Sequence, residues 1–139
     1  MNKIEFNTQI CTNKEQSKRL LELDLNPNTA DMSWTLAPIS SEYPHASLIP
    51  YSKTMNRLTY NILPAWSLHR LIAMLPDFFS NLGRLFNLKM DKCFLRYCTA
   101  RNDEYIYFQQ KDTMYDNIID CIEWLIKENK FNKEYLKEE

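Results

Sequence analysis

The sequence predicts an α+β fold, a three-stranded antiparallel β-meander at about 84–109 packed against a C-terminal helix at 112–128, with two further helices near 13–24 and 67–75. Three observations carry this. Met114, Ile118, Cys121, Ile122 and Leu125 recur at intervals of three and four, one stripe of an amphipathic helix. Phe86, Leu88 and Met90 alternate with Asn87, Lys89 and Asp91, the period of a half-buried strand. The 139 residues are 45% hydrophobic and 25% charged, an ordinary globular composition at the length of one domain, so residues 1–139 read as a single globular unit.

Along the chain, Thr12-Asn13-Lys14-Glu15 reads as a capping box that starts the first helix. Leu20, Leu21 and Leu23 form its apolar stripe, and Asn26-Pro27 stops it, because a residue before proline avoids the helical region. Pro38, Pro44 and Pro50 interrupt the irregular stretch 35–62, leaving extended pieces near Met32–Leu36 and Arg57–Ile62. Ser67 caps the second helix, Trp66 can staple onto Leu71, and Pro76 ends it.

In the meander, a tight turn at Asp91-Lys92 pairs Met90 with Cys93, Leu88 with Leu95 and Phe86 with Tyr97, all six on one face. Asn87, Lys89, Phe94 and Arg96 take the opposite face. A third strand at Tyr105–Gln109 then adds Ile106 and Phe108 to the first face and Tyr105 and Tyr107 to the second. The last helix opens at Asp112, with Asp116, Asp120 and Glu123 on its polar side and Asn129 as a left-handed C-cap. The tail 130–139 is mostly charged, with Phe131 and Tyr135 as anchors.

Composition excludes several chemistries. The chain has one glycine, Gly83, so neither a dinucleotide fingerprint nor a P-loop can be built. A glycine-flanked nucleophile elbow is excluded too. No CxxC occurs among Cys11, Cys93, Cys98 and Cys121, and with only His45 and His69 a zinc site is disfavoured, so the cysteines read as small apolar residues. The N-terminus has no apolar leader and no run is long enough to span a membrane, which with four unpaired thiols points to the cytoplasm. Ser67 and His69 point apart at a helix start, so neither a catalytic residue nor a cofactor is expected.

Charge is segregated. Residues 1–50 carry four basic and six acidic side chains, 51–101 carry eight and two, and 102–139 carry five and ten. A basic middle can mark a polyanion site, but the favoured expectation is that basic and acidic segments neutralise each other in the fold. The acidic side Asp116/Asp120/Glu123 then serves as a solvated surface or as a partner for the basic middle.

The runs Glu15-Gln16-Ser17-Lys18-Arg19-Leu20-Leu21-Glu22-Leu23, Thr29-Ala30-Asp31-Met32, Pro64-Ala65-Trp66-Ser67-Leu68 and Glu123-Trp124-Leu125-Ile126 together resemble a family of short uncharacterised proteins of gut anaerobic bacteria, their phages and mobile elements. The likeness spans about 13–130, apart from 35–62. Members often carry glycine after the first helix, where this chain has Asp24. The resemblance brings no activity and no functional residue; it implies an accessory protein of a phage or mobile element.

The second sheet face is the candidate binding face: Lys89, Phe94, Arg96, Tyr105 and Tyr107 place cations beside aromatics, as sheets that stack bases and hold phosphates do. The competing expectation, favoured because three amphipathic helices need partners, is that the first or second helix covers this face and makes its aromatics core. The functional expectation is a small non-enzymatic interaction module with a protein partner and no membrane attachment. Single-stranded nucleic-acid binding through the sheet face is the alternative, and an enzyme built on His45 or His69 with a carboxylate is held least.

Overall fold

The computed structural model describes residues 9–35, 45–46 and 62–138. Among the described residues, three α-helices and two antiparallel sheets make the fold α+β. In the first sheet β1 (Met32–Thr35) lies between β2 (His45–Ala46) and β3 (Ile62–Ala65). Pro64 falls on the edge strand β3, where a missing N–H is tolerated. β1 matches its expected place. The second extended piece falls at Ile62–Ala65 rather than ending at Ile62, and 57–61 lie outside the described residues.

Helix α1 (Lys14–Glu22) has its capping box one residue later than the sequence suggested. Asn13 Oδ1 accepts from Gln16 N–H at 2.8 Å, and Gln16 Oε1 accepts from Asn13 N–H at 3.0 Å. Thr12 is not free to cap. Its buried hydroxyl bonds Ser17 Oγ at 2.7 Å and accepts from Trp66 N–H at 3.1 Å, tying α1 to the end of β3. At the other end Asp24 takes φ 68°, while Leu25 N–H donates to Leu20 O and Asp24 N–H to Leu21 O. This Schellman closure is usually given to glycine, and the aspartate accepts the left-handed strain. Helix α2 (Leu68–Met74) begins on Ser67, whose Oγ accepts from Arg70 N–H and donates to Asp31 Oδ2. Trp66 and Leu71, the expected staple, are both wholly buried in the core.

The second sheet has four strands in sequence order, not three: β4 (Phe78–Asn81), β5 (Arg84–Met90), β6 (Phe94–Cys98) and β7 (Tyr105–Gln110). The first strand enters through a two-residue turn in which Leu82 and Gly83 have φ 52° and 78°. Positive φ at both positions gives a twist that suits a tight hairpin, and Gly83 supplies one of them without strain. The β5–β6 turn is Lys92-Cys93, closed by Asp91 N–H donating to Phe94 O, so Met90 faces Leu95 and Leu88 faces Tyr97. This register differs from the expected one by two residues, which preserves faces. Leu95 and Tyr97 are therefore buried as expected, while Cys93 and Met90 are exposed near the turn instead of joining the core.

On β7 a bulge overturns the expected face assignment. Tyr97 faces Tyr107 but Cys98 faces Tyr105, so β7 spends one extra residue, Ile106. Ile106 and Tyr107 both pack toward the core, and Tyr105 and Phe108 both fall on the other face. Strict alternation predicted Phe108 inside and Tyr107 outside; each lies on the opposite side.

Helix α3 (Met114–Lys127) packs across β6 and β7 and is flanked by α1 and α2. Its N-cap is Thr113, not Asp112, because the Thr113 hydroxyl accepts from Asp116 N–H. Asn129 closes the helix at φ 61° with a second Schellman pair, Asn129 N–H to Ile126 O and Lys130 N–H to Leu125 O. Its buried side is Tyr115, Ile118, Ile119, Cys121, Ile122 and Leu125. Between α3 and the sheet lies an aromatic group. Trp124 stacks on Tyr107 with centroids 4.7 Å apart, and Phe79 meets Tyr97 at 4.8 Å. The tail is held as its anchors suggested: Phe131 is buried, and Leu136 bridges to Leu25 while Tyr135 O accepts from Asn26 N–H.

Candidate functional site

The charges outside the core sort themselves by segment. Arg84 pairs with Glu104, Lys89 Nζ lies 3.2 Å from Asp103 and Arg96 lies 3.9 Å from the same carboxylate. Three cations of the basic middle are thus matched by the acidic connection between β6 and β7, as the neutralising expectation had it. The acidic side of α3 meets different partners. Asp120 binds Arg19 at 2.5 Å and also Lys111, Glu123 binds Arg19 at 2.8 Å, and Asp116 accepts from Gln16. It therefore joins α3 to α1 and to the end of β7, and is neither a bare solvated side nor a partner of the basic middle. Burial alone would raise the Asp120 carboxyl, but the hydrogen bonds from Lys111 and Arg19 hold it below its ordinary range.

The four strands present a second face away from α3. Pairing puts Phe78 beside Asn87, Ser80 beside Leu85, Lys89 beside Arg96 and Arg96 beside Phe108 on this face, with Phe94 opposite Gln110. The expectation that α1 or α2 covers it fails. Tyr105 is 61% exposed, Phe78 60%, Leu85 52% and Phe108 42%. Among the described residues, the helix that packs on this sheet is α3, on the other face. The physical reason is that α1 and α2 spend their apolar stripes on β3 and α3.

Of the five expected face residues, the structure brings four together. Phe94 stacks on Phe108 at 5.9 Å, Tyr105 meets Phe108 at 5.6 Å, and the Arg96 guanidinium lies 5.6 Å over the Phe94 ring. Lys89 stands beside Arg96, and both lean to Asp103, which holds a left-handed φ of 49° in the connection. Tyr107 does not belong. It stacks on Trp124 inside, and burial raises its hydroxyl well above the ordinary tyrosine range. Phe108, Phe78 and Leu85 take its place. Phe78 and Leu85 belong to the hairpin that Gly83 marks, the one signal that could have exposed it, whereas no residue type announces the bulge that turns Phe108 outward.

The other candidates are accounted for one by one. Ser67 Oγ is engaged by Arg70 and Asp31, and His69 is exposed on α2. The side chain of His45 lies outside the described residues. Among the described residues, no three His, Cys, Asp or Glu side chains converge as a metal ion requires. Burial raises the Cys11 thiol to about 11 and pushes Cys121 higher still, so both stay protonated at neutral pH. No helix among the described residues is long and apolar enough to cross a membrane. No family model, curated protein or solved structure matches this chain.

Proposed function

We propose that this chain is a small non-enzymatic interaction module that docks a partner protein through the open face of the four-stranded sheet. One observation carries the reading. Tyr105, Phe108 and Phe94 form a run of neighbouring aromatic rings on β6 and β7, and Phe78 and Leu85 add an apolar pair on β4 and β5; all of these but Phe94 are exposed. Soluble chains seldom keep such a run without a contact to make. Aromatic centres with a polar rim are the usual composition of a protein contact. Lys89 and Arg96 bring the polar groups of this face, and Asp103 answers both charges, which favours protein over polyanion. Four free thiols support a reducing, cytoplasmic setting, and service to a phage or mobile element rests on the family resemblance alone.

A Tyr105→Ser, Phe108→Ser variant tests this by affinity capture from native cells. The reading expects at least one protein captured by the unaltered chain to be lost by the variant; identical captured sets sink it. Single-stranded nucleic acid is the second reading, favoured by Arg96 lying over Phe94 between exposed rings. It expects a labelled oligothymidine to bind with an affinity that falls steeply with salt and drops with Lys89→Glu, Arg96→Glu. Salt-independent or absent binding removes it.

A further inference from the structure

The two edges of the four-stranded sheet are not alike. β4 is four residues long, and Lys130 Nζ donates to its Ser80 carbonyl at 3.0 Å, a charged side chain posted on the edge. β7 is six residues long, Tyr105-Ile106-Tyr107-Phe108-Gln109-Gln110, with no charge, no proline and no glycine. Among the described residues it pairs on one side only, with β6. Chains ordinarily guard an edge of that kind with lysine, proline or a short strand. Here a bulge at Ile106 distorts only its beginning. Phe94 O accepts from Asp91 N–H, so Phe94 turns its backbone groups to β5, and Leu95 and Tyr97 turn theirs to β7. In an antiparallel ladder these roles alternate. Tyr107 and Gln109 therefore bond β6, and Phe108 and Gln110 aim their N–H and C=O groups away from the sheet.

We propose that this edge pairs with the same edge of a second copy, giving an antiparallel two-fold dimer with one continuous sheet. The proposal is independent of the docking reading, since it uses the backbone edge and not the open face. Charge commits it to a second copy of the chain. β7 brings no charge to the seam, and its flanks are paired at home, Glu104 with Arg84, Asp103 with Lys89, Lys111 with Asp120. The flanks have opposite signs, acidic before the strand and Lys111 after it, so antiparallel pairing sets Lys111 of each copy beside the Tyr105 and Glu104 end of the other. Parallel pairing sets like against like. In the register set by an axis at Phe108, Lys111 stands opposite Tyr105 of the second copy and Asp112 opposite Glu104, the one like-charged pair, at the outer ends of the seam. A two-fold axis at Phe108 lets each Phe108 exchange both backbone hydrogen bonds with its counterpart and sets the two rings side by side. Tyr107 then stands opposite Gln109 of the second copy, and the open faces of both copies lie on the same side. One strand pair is a small junction, so the dimer is a weak one.

Sedimentation equilibrium on the full chain from micromolar to millimolar concentration tests this. The mass rises from 16.7 kDa toward twice that value with concentration. Gln110→Pro, which removes an outward N–H and leaves the aromatic face intact, weakens association at least tenfold. Phe78→Lys, at the far side of the same face, leaves it unchanged. A constant monomer mass, or equal loss in both variants, overturns the proposal. Cross-linking covers the case in which Gln110→Pro does not fold. In a Cys93→Ser background, Phe108→Cys forms a disulfide between copies, because hydrogen-bonded partners across an antiparallel pair stand about 5.5 Å apart. Leu85→Cys does not. Equal cross-linking of the two, or none at Phe108→Cys, also overturns it.

Discussion

The two faces of one sheet carry the same kinds of side chain to opposite ends. On the α3 side, Phe79, Phe86, Leu95, Tyr97 and Tyr107 close around Trp124, and Tyr97 uses even its hydroxyl, donating to Pro76 O at 2.8 Å. On the other side, Phe78, Leu85, Tyr105 and Phe108 meet water, with the paired charges of Lys89, Arg96 and Asp103 beside them. Aromatic content alone therefore does not mark core. What separates the faces is whether a helix with an unspent apolar stripe lies above them, and among the described residues α3 is the one placed to do so.

The largest contrast comes from truncation. Trp124→Ala removes the half-buried ring against which Phe79, Tyr97 and Tyr107 stack and is expected to cost about 3 kcal/mol, the low end for a large aromatic. Phe108→Ala, of similar chemistry on the exposed face, should stay within about 0.5 kcal/mol. Urea midpoints on the two variants check this; equal losses would mean that the open face is covered in solution.

Next in size is alkaline pH, which acts on the covered side. Burial raises the hydroxyls of Tyr97 and Tyr107 and the thiol of Cys121, so the folded chain keeps protons that the unfolded chain gives up near ordinary values of 10.0 and 9.0. Stability from this source is whole below about pH 9 and falls as pH rises beyond it. Denaturant midpoints between pH 8 and 11 should drop, and Tyr97→Phe should flatten the drop. A Tyr97→Phe curve as steep as that of the unaltered chain would break the link to burial.

How far the sequence discloses all this depends on what each feature is made of. The helix stripes, the strand period and the burial of Leu95 and Tyr97 are repeated many times over in the residues, so shifting a cap from Thr12 to Asn13 or a turn by one residue leaves faces intact. A bulge is a single event. No residue near Ile106 advertises it, yet it exchanges Tyr107 for Phe108 and so rewrites the candidate face. Coverage is not local at all: it depends on where α1 and α2 spend their stripes, which only the three-dimensional arrangement decides.

A third effect reaches the seam between α3 and α1. Asp120 has a side chain only 14% exposed and is held below its ordinary value of 3.8 by Lys111 and Arg19. A depressed carboxylate contributes stability that is present above that ordinary value and is lost as pH falls through the folded value. Acid should therefore loosen the chain below about pH 4. Asp120→Asn, which keeps shape and removes charge, should lower stability at pH 7 and flatten the acid limb; an acid limb as steep as before would assign it to other carboxylates.

The smallest effect is a gain, at a place neither face touches. Asp24 carries φ 68° at the end of α1, in a closure that asks only for a residue tolerant of the left-handed region. Asp24→Gly relieves a strain of about 1 kcal/mol and adds backbone freedom to the unfolded chain, which takes part of it back. The net expectation is a stabilisation of a few tenths of a kcal/mol, read as a small rise in urea midpoint with an unchanged slope. A drop would show that the aspartate side chain gives the α1 terminus more than its backbone loses there. The end of α1 also accepts from Lys137 N–H at Asp24 O and donates Asn26 N–H to Tyr135 O, so either sign would pass directly to the tail that this turn holds.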